Sequence, residues 1–516
     1  MLKIFIDERE LDIAQGTTIL KAAESAGLKI PHLCYHKAFL PEGSCRMCLV
    51  EIEGIPKLEL ACSTQVRDGM KISTKSERVI EARKGVLEFL LAEHPIDCPI
   101  CDKAGECKLQ DYYEEYGLFD SEFNEAKEKR QKRIEIGKNL LHDQERCVLC
   151  RRCVRFLSEV TKTEELGVFQ RGNHAEISTY EGEMIDNNYS GNLAEICPVG
   201  AITDKDFRFK TRTWFLQSSE SICPLCSRGC NIFLESHQRF SRFQLPKRVY
   251  RIRTRENQMI NGFWICDKGR YDYGFLDQER LDEIIVNNSH NSRSWPEITS
   301  HVAGEIKRLL KTNKSAHIGL VLQSWLSNEE LFLIDKIFRD DINIEKICFL
   351  DPPDEEADDF LFTGECTPNR RGAKEIGFDV QPADWGTFFD DIDLLFVFAS
   401  PIMNDTDAEQ IKAALDKIDT TVLFASHNHE INSSFDIVLP MSLIAEKEGS
   451  ITNIVGKVQG FYPALNTLGD CKPAWQFLME LGNKLALNLG YYNQFSSPES
   501  IREVMKKEIS FFREEQ

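Results

Sequence analysis

Apolar and polar positions alternate over residues 3–7 and again over 47–53, the period of a strand with one buried face. Residues 18–25 read as a short helix between them. Further on, Val79, Ala82, Val86, Phe89 and Leu90 recur at helical spacing. They predict a helix over 79–93 that delivers His94 at its end. Residues 119–139 are highly charged and nearly free of aromatic side chains, which predicts a surface linker or a solvated helix. The C-terminal part changes character. It carries a mostly apolar run at 316–322, a helix over 328–338, a buried-strand candidate at 394–399, a helix over 407–418 and a strand at 421–425. Strands alternating with helices imply a mostly parallel sheet covered on both faces.

Composition narrows the picture. A chain of 516 residues is too long for one core, so several domains are expected. With 42% hydrophobic and 28% charged residues it has the make-up of an ordinary globular protein. A net charge of −20 argues against nucleic-acid binding, which leaves a basic footprint. The longest unbroken apolar run, residues 394–399, is far too short to span a bilayer. The acidic, strand-like N-terminus is not expected to be a signal peptide. Without export, 18 cysteines point to metal before disulfides.

Fifteen of those cysteines lie between Cys34 and Cys266, in four groups. Group one is Cys34, Cys45, Cys48 and Cys62. Group two is Cys98, Cys101 and Cys107 with His94. Group three is Cys147, Cys150, Cys153 and the distant Cys197. Group four is Cys223, Cys226, Cys230 and Cys266. Four thiolates also close a structural zinc site, and three cysteines with one histidine are a common zinc set, so zinc competes, most strongly in group two. Zinc ribbons, however, usually use two separated C-x2-C pairs. Three close cysteines with one remote or dissimilar ligand suit a cubane, and C-x2-C-x2-C is the bacterial ferredoxin trio. Group one has the plant-type [2Fe–2S] layout, with a longer first spacing, and its flanking strands and helix fit a β-grasp ferredoxin domain. Imidazole in place of a thiolate makes the group-two site less negative by one charge, which alone raises its potential.

Residues 238–255 hold seven Lys or Arg and no acid, read as a solvated β-hairpin in preference to a partner or phosphate contact. No G-x-G-x-x-G follows a strand and no P-loop occurs, so no site for NADH or flavin is expected on this chain.

Several stretches carry a resemblance. GSCRMCLVEIEG (43–54) looks like a [2Fe–2S] loop, and HPIDCPICDKAGECKLQDYY (94–113) matches an unusual one-histidine, three-cysteine motif. ERCVLCRRCVRF (145–156) with SGNLAEICPVGAIT (190–203) matches a second cubane site. SICPLCSRGCNIF (221–233) with CDKGR resembles the N-terminal cluster of molybdopterin oxidoreductases, and TPNRRGAKEIGF (367–378) and residues 436–461 match that fold further on. Together these resemble the family of large iron–sulfur subunits of bacterial NADH–quinone oxidoreductase, in the peripheral arm of respiratory complex I.

The resemblance implies an α+β and α/β multidomain chain. Its parts would be a β-grasp [2Fe–2S] domain at 1–78, a one-His/three-Cys [4Fe–4S] domain at 79–118 and a ferredoxin-like [4Fe–4S] domain at 138–212. A [4Fe–4S] domain of the molybdenum or tungsten type would follow at 216–274, then a truncated molybdopterin-oxidoreductase-like domain at 275–516. It implies one [2Fe–2S] and three [4Fe–4S] clusters and a flavoprotein partner that oxidises NADH. Electrons would then pass through group one, group three and group two to a ferredoxin-like subunit and eventually quinone. Group four would lie off this route. Proton pumping would belong to the membrane arm, met only indirectly, and the chain would sit peripherally on the cytoplasmic side of the inner membrane. The match to the catalytic fold stops near Leu487, leaving no room for the domain that clamps a pterin, and Cys366 lies beside a motif where no metal is implied. The C-terminal half is therefore expected to be a scaffold without molybdopterin, with Cys348, Cys366 and Cys471 as bystanders. The rivals are the iron–sulfur subunit of an NAD-linked formate dehydrogenase or of a soluble hydrogenase and, in a different class, a zinc-stabilised scaffold.

Overall fold

The computed structural model describes residues 1–117, 120–237, 247–290, 293–381, 385–399, 405–488 and 490–514. The chain divides into two compact units, Met1–Leu216 and Gln217–Gln516.

The first unit opens with β1 (Leu2–Ile6) and β2 (Arg9–Ile13), joined through Asp7 and Glu8, both at positive φ as a tight hairpin turn demands. Asp7 also accepts the Thr74 amide at 2.7 Å, which anchors the end of the strand over Lys71–Ser73. α1 (Ile19–Ser25) is capped by Thr18, whose hydroxyl accepts the Lys21 amide. β3 (Leu49–Ile52), β4 (Glu59–Leu60) and β5 (Lys71–Ser73) complete a sheet of order β2-β1-β5-β3-β4, with β1 and β5 parallel. Ile4, Ile6, Val50 and Ile52 meet Ile19, Leu20 and Ala23 of α1 in one core, each large side chain contributing about 1.5–3 kcal/mol. The sequence places a strand at 47–53, but the observed one begins at Leu49. Arg46 adopts positive φ and the Cys48 carbonyl accepts the Ala61 amide, so Met47 and Cys48 belong to the cysteine loop.

α2 (Glu77–Glu93) runs where the apolar spacing puts it, with Ser76 as N-cap and His94 as C-cap. Its buried line differs from the expected stripe: Val79, Arg83 and Leu87 face inward, while Phe89 is 75% exposed and meets the edge of Phe123. Arg83 tolerates burial because it donates to the Leu49 carbonyl at 3.0 Å and lies over the Tyr116 ring. α3 (Lys108–Tyr116) follows. Residues 120–133 are extended and mostly exposed, with no helix among the described residues, and Lys127 ties them to the last carbonyls of α2. Residue 119 of the predicted linker lies outside the described residues. β6 (Ile134–Glu135), β7 (Leu140–His142), α4 (Arg152–Arg155), α5 (Asn192–Ile196) and β10 (Ile202–Asp204) build the next layer, with β8 (Leu166–Phe169) and β9 (Glu176–Thr179) as a side hairpin. The sheet order is β10-β7-β6.

In the second unit β12 (Asn231–His237) lies between β11 (Leu216–Ile222) and β13 (Val249–Thr254). The predicted hairpin at 238–255 is present in its described part, β13 against β12, while 238–246 lie outside the described residues. Its face is less solvated than expected. Arg248 is buried on Asp277 and Glu446, and Arg251 pairs with Glu235, because the strand packs between other elements.

The α/β part matches the sequence pattern closely. β16 (Ile318–Leu322), β17 (Lys346–Phe349), β18 (Leu394–Ala399), β19 (Thr420–Ala425) and β20 (Ile437–Pro440) pair in parallel in the order β17-β16-β18-β19-β20, and β14 (Ile285–Val286) and β15 (Ser289–His290) add an antiparallel edge. Phe396, Phe398, Val422 and Phe424 point into one apolar cluster and Leu395, Val397, Leu423 and Ala425 into another, so both faces are covered. The predicted helix at 328–338 is regular over Asn328–Ile334 and continues as a wider turn through Asp335–Asp341, and that at 407–418 is observed as Asp405–Leu415.

Candidate metal centres

Each cysteine group is carried on a short loop between elements, and the same backbone device recurs. Arg46 in the C-x2-C of group one, Leu149 and Arg151 in group three and Gly229 before Cys230 all hold positive φ. Such a bend curls successive amides toward one side, a concavity suited to negative charge.

In group one all four cysteines are buried. They form two pairs. Cys34 neighbours Cys45, and Cys48 neighbours Cys62. This contact with Cys45, with donors from Gly43 and Ser44, brings the Cys34 thiol down to about 5, while the Cys45 thiol is driven up by the same contact. Cys62 is lowered and Cys48 raised in the same way. The Leu33 amide adds a donor to the Cys45 sulfur at 3.4 Å.

Group two is assembled by two helix ends. His94 closes α2, Cys98 and Cys101 bracket a single tight turn, and Cys107 is the residue before α3. Burial raises the Cys101 thiol and takes Cys107 to about 11, the latter against donation from the Gln110 and Leu109 amides. His94 is pushed down to about 4 by burial, so its imidazole is neutral, the form that ligates metal. Its Nδ1 is buried without a hydrogen-bond partner. Asp97 and Arg146, the charged groups nearest His94, also neighbour Cys101. They form a forked ion pair at 3.0 and 2.6 Å.

Group three gathers Cys147, Cys150 and Cys153 around α4 and Cys197 from the end of α5, each within electrostatic reach of the others. Burial lifts Cys147 to about 12 and Cys150 to about 11.

In group four the Cys223 amide donates to the Cys230 carbonyl at 2.8 Å, and the β12–β13 hairpin occupies the 35-residue gap before Cys266. Cys266 caps α6 (Asp267–Tyr271), and its sulfur accepts the Gly269 amide at 3.3 Å. A methyl group on Gly269 would stand 3.1 Å from the Cys223 sulfur, which places both sulfurs over the start of this helix. Burial raises Cys223 and Cys230 strongly and Cys266 to about 12. Cys348, Cys366 and Cys471 are buried thiols outside these groups. Cys366 takes a weak contact from Lys268 at 3.7 Å.

Within the first unit the groups adjoin in an order different from that of the chain. Arg155 donates to the carbonyls of Cys34 and Leu40, and Cys150 lies within electrostatic reach of Cys34, so group one meets group three. Gly200, just past Cys197, lies directly against the Cys101 sulfur, and Lys103 donates to the Ala194 carbonyl at 3.1 Å, so group three meets group two. Sequence reasoning does not single out Arg146, Arg152, Arg155 or Gly200. The available signal is the run of arginines that interleaves the cysteines of 145–156. Among the described residues, no three His, Cys, Asp or Glu side chains converge as a single bound ion requires. Ligands of a multi-iron cluster stand further apart than those of one ion.

Residues 1–77 match the 2Fe-2S iron-sulfur cluster binding domain family, and 83–122 match the NADH-ubiquinone oxidoreductase-G iron-sulfur binding region. Residues 137–203 match the ferredoxin-like domain of NADH-quinone oxidoreductase subunit 3, and 372–484 match molybdopterin oxidoreductase. The chain is similar to the G subunit of NADH-quinone oxidoreductase from Rickettsia bellii (strain RML369-C), 38% identical over 336 residues, 65% of this chain and 47% of the relative. The protein of the same name from Rickettsia felis (strain ATCC VR-1525 / URRWXCal2) is 38% identical over 341 residues, 66% of this chain and 49% of the relative. The chain thus spans about half the length of the curated relatives it matches. A chain of an NAD+-reducing [NiFe]-hydrogenase, crystallised in the H2-reduced state, is 34% identical, with a TM-score of 0.38, covering 41% of this chain and 90% of that one. No helix among the described residues is long and apolar enough to cross a membrane.

Proposed function

We propose that this chain is an electron-transfer subunit of an NADH–quinone oxidoreductase, receiving electrons from a flavoprotein that oxidises NADH and passing them toward a ferredoxin-like partner and quinone. Cys34, Cys45, Cys48 and Cys62 would hold a [2Fe–2S] cluster. His94 with Cys98, Cys101 and Cys107, then Cys147, Cys150, Cys153 and Cys197, then Cys223, Cys226, Cys230 and Cys266 would each hold a [4Fe–4S] cluster. Clusters of these types, when bound, accept and release one electron at a time at potentials set by ligands, hydrogen bonds and burial.

The observation that carries this reading is the spatial order of the ligand groups. Group one adjoins group three and group three adjoins group two, a continuous line through one compact unit. A zinc scaffold needs no such line, and the two thiol pairs of group one suit two irons better than one ion. The residues themselves supply the rest. Most of the thiols are buried, with Cys98 and Cys147 half-buried, the curled loops present amides to negative charge, and neutral His94 offers an unpartnered nitrogen. We assign group four a cluster but no place on the line.

The α/β domain we read as a scaffold without a pterin. Metal and sulfide analysis of the anaerobically purified chain tests the proposal. It predicts iron near about 14 per chain without molybdenum or tungsten, and paramagnetic signals after dithionite reduction. Stoichiometric molybdenum would turn the reading toward a formate dehydrogenase, and a diamagnetic zinc protein would end it.

A further inference from the structure

We propose that Arg152 is an electrostatic control shared by the cluster sites of groups one and three, holding both at higher reduction potentials than their thiolates alone would set. The inference rests on the reading that both groups hold clusters. Arg152 sits on α4 between Cys150 and Cys153 and is buried. One guanidinium nitrogen donates at 3.1 Å to the carbonyl of Ile196, the residue before Cys197, and another donates to the carbonyl of Tyr35, the residue after Cys34. A single cation therefore clamps the chain beside one ligand from each group.

Its neighbours in charge are thiols of both sets: Cys150 and Cys197 from group three, Cys34 and Cys45 from group one. The adjacent arginines differ. Arg155 faces Glu42 at 3.4 Å and Arg146 is forked onto Asp97, so carboxylates already compensate those charges. Arg152 has no carboxylate partner among the described residues, and its Nε is buried with no hydrogen-bond partner at all. A buried, uncompensated cation is costly in a protein interior. The thiolates of the loaded sites on either side would compensate it. Reduction adds negative charge at either site, and a fixed positive charge between them favours that reduced state.

The test uses the full-length, cluster-loaded chain in redox titrations followed by electron paramagnetic resonance, with Arg152→Gln, Arg152→Met and Arg152→Lys beside the wild type. Both neutral variants are expected to lower the midpoints of the [2Fe–2S] cluster and the group-three cluster together, each by about tenfold in its one-electron equilibrium, about 59 mV. The group-two cluster should move by less than about threefold. Arg152→Lys, which keeps the charge, should restore both midpoints. The inference fails if only one midpoint moves, if neither moves, or if the lysine variant behaves like the neutral ones. Loss of either cluster from both neutral variants would make Arg152 a structural tie and would also overturn it. The wild-type spectra judge the cluster reading on their own, and the difference between wild type and variant judges Arg152.

Discussion

Gly200 lies three residues after Cys197, so the sequence attaches it to group three. In space it belongs to group two. A methyl group at this position would overlap the Cys101 sulfur and also come within 3.4 Å of Lys103 Cβ and 3.6 Å of Arg146 Cδ. Overpacking of this size costs about 1–3 kcal/mol when the surroundings cannot give. In the apoprotein the Cys101 side chain can rotate away, so folding should be little affected. A sulfur fixed to iron cannot rotate, and the whole cost then falls on cluster retention, a weakening of roughly 5- to 150-fold. Gly200→Ala should therefore lose the His94 cluster selectively. Iron should fall from about 14 to about 10 per chain, with the resonance signals of the other three sites intact. Purification under anaerobic conditions, iron analysis and low-temperature resonance spectra read the result. Loss of the group-three signal with retention of the group-two signal would refute the placement, as would a fully loaded variant.

His94→Ala should weaken or lose the same cluster, whereas His94→Cys should keep one at a changed potential. If His94→Ala left every spectrum unaltered, the ligand assignment would be wrong. Replacing Cys348, Cys366 or Cys471 with Ser should leave iron content unchanged, and a deficit of a whole cluster would show a missed ligand. Glu446 is fully buried and accepts a forked pair from Arg280 at 2.7 and 2.9 Å and a third bond from Arg248 at 2.8 Å. Glu446→Ala should cost about 3–5 kcal/mol in denaturant unfolding of the chain, because buried Arg280 is left without its carboxylate and Arg248 keeps only Asp277. Burial alone would raise this carboxyl, but Arg280 and Arg248 outweigh it and hold it below its usual range. The stabilisation is thus present above the unfolded pKa of about 4.3 and is lost as pH falls through the lower folded value. His142 is also held below its ordinary value, but here burial alone does it by disfavouring the charged form. It is buried with both ring nitrogens unpartnered, and burial lowers it to about 4, so the unfolded chain takes up the proton first as pH drops below about 6.5. His142→Leu should raise the melting temperature at pH 5 relative to wild type and change it little at pH 8. An equal shift at both pH values would show that packing, and not protonation, decides.

The local elements are largely readable from the chain. Residues 394–399 are apolar throughout because that strand is covered on both faces, and α1 and α2 follow their caps and spacing closely. Differences arise where tertiary contacts replace the usual burial rule. Phe89 is exposed while Arg83 is buried, because Arg83 finds a carbonyl and a ring to bind. The arginines of the hairpin read as solvated because sequence cannot show that Glu446 and Asp277, far along the chain, come back to meet Arg248.

The cysteine groups themselves are written in the sequence, since the spacing of ligands on one loop is a local property that the chain carries wherever it folds. The proposed division into four sets of four donors is drawn from their spacing and the resemblance alone. What only the tertiary structure decides is which sets are neighbours. Cys197 returns to Cys147 through α5, Gly200 is pressed onto Cys101, and Arg152 reaches Tyr35 and Ile196 at once. Those contacts join residues distant in the chain through packing and buried hydrogen bonds, which no spacing along the backbone encodes. They turn separate ligand sets into an ordered line, with a charge placed between two of its members.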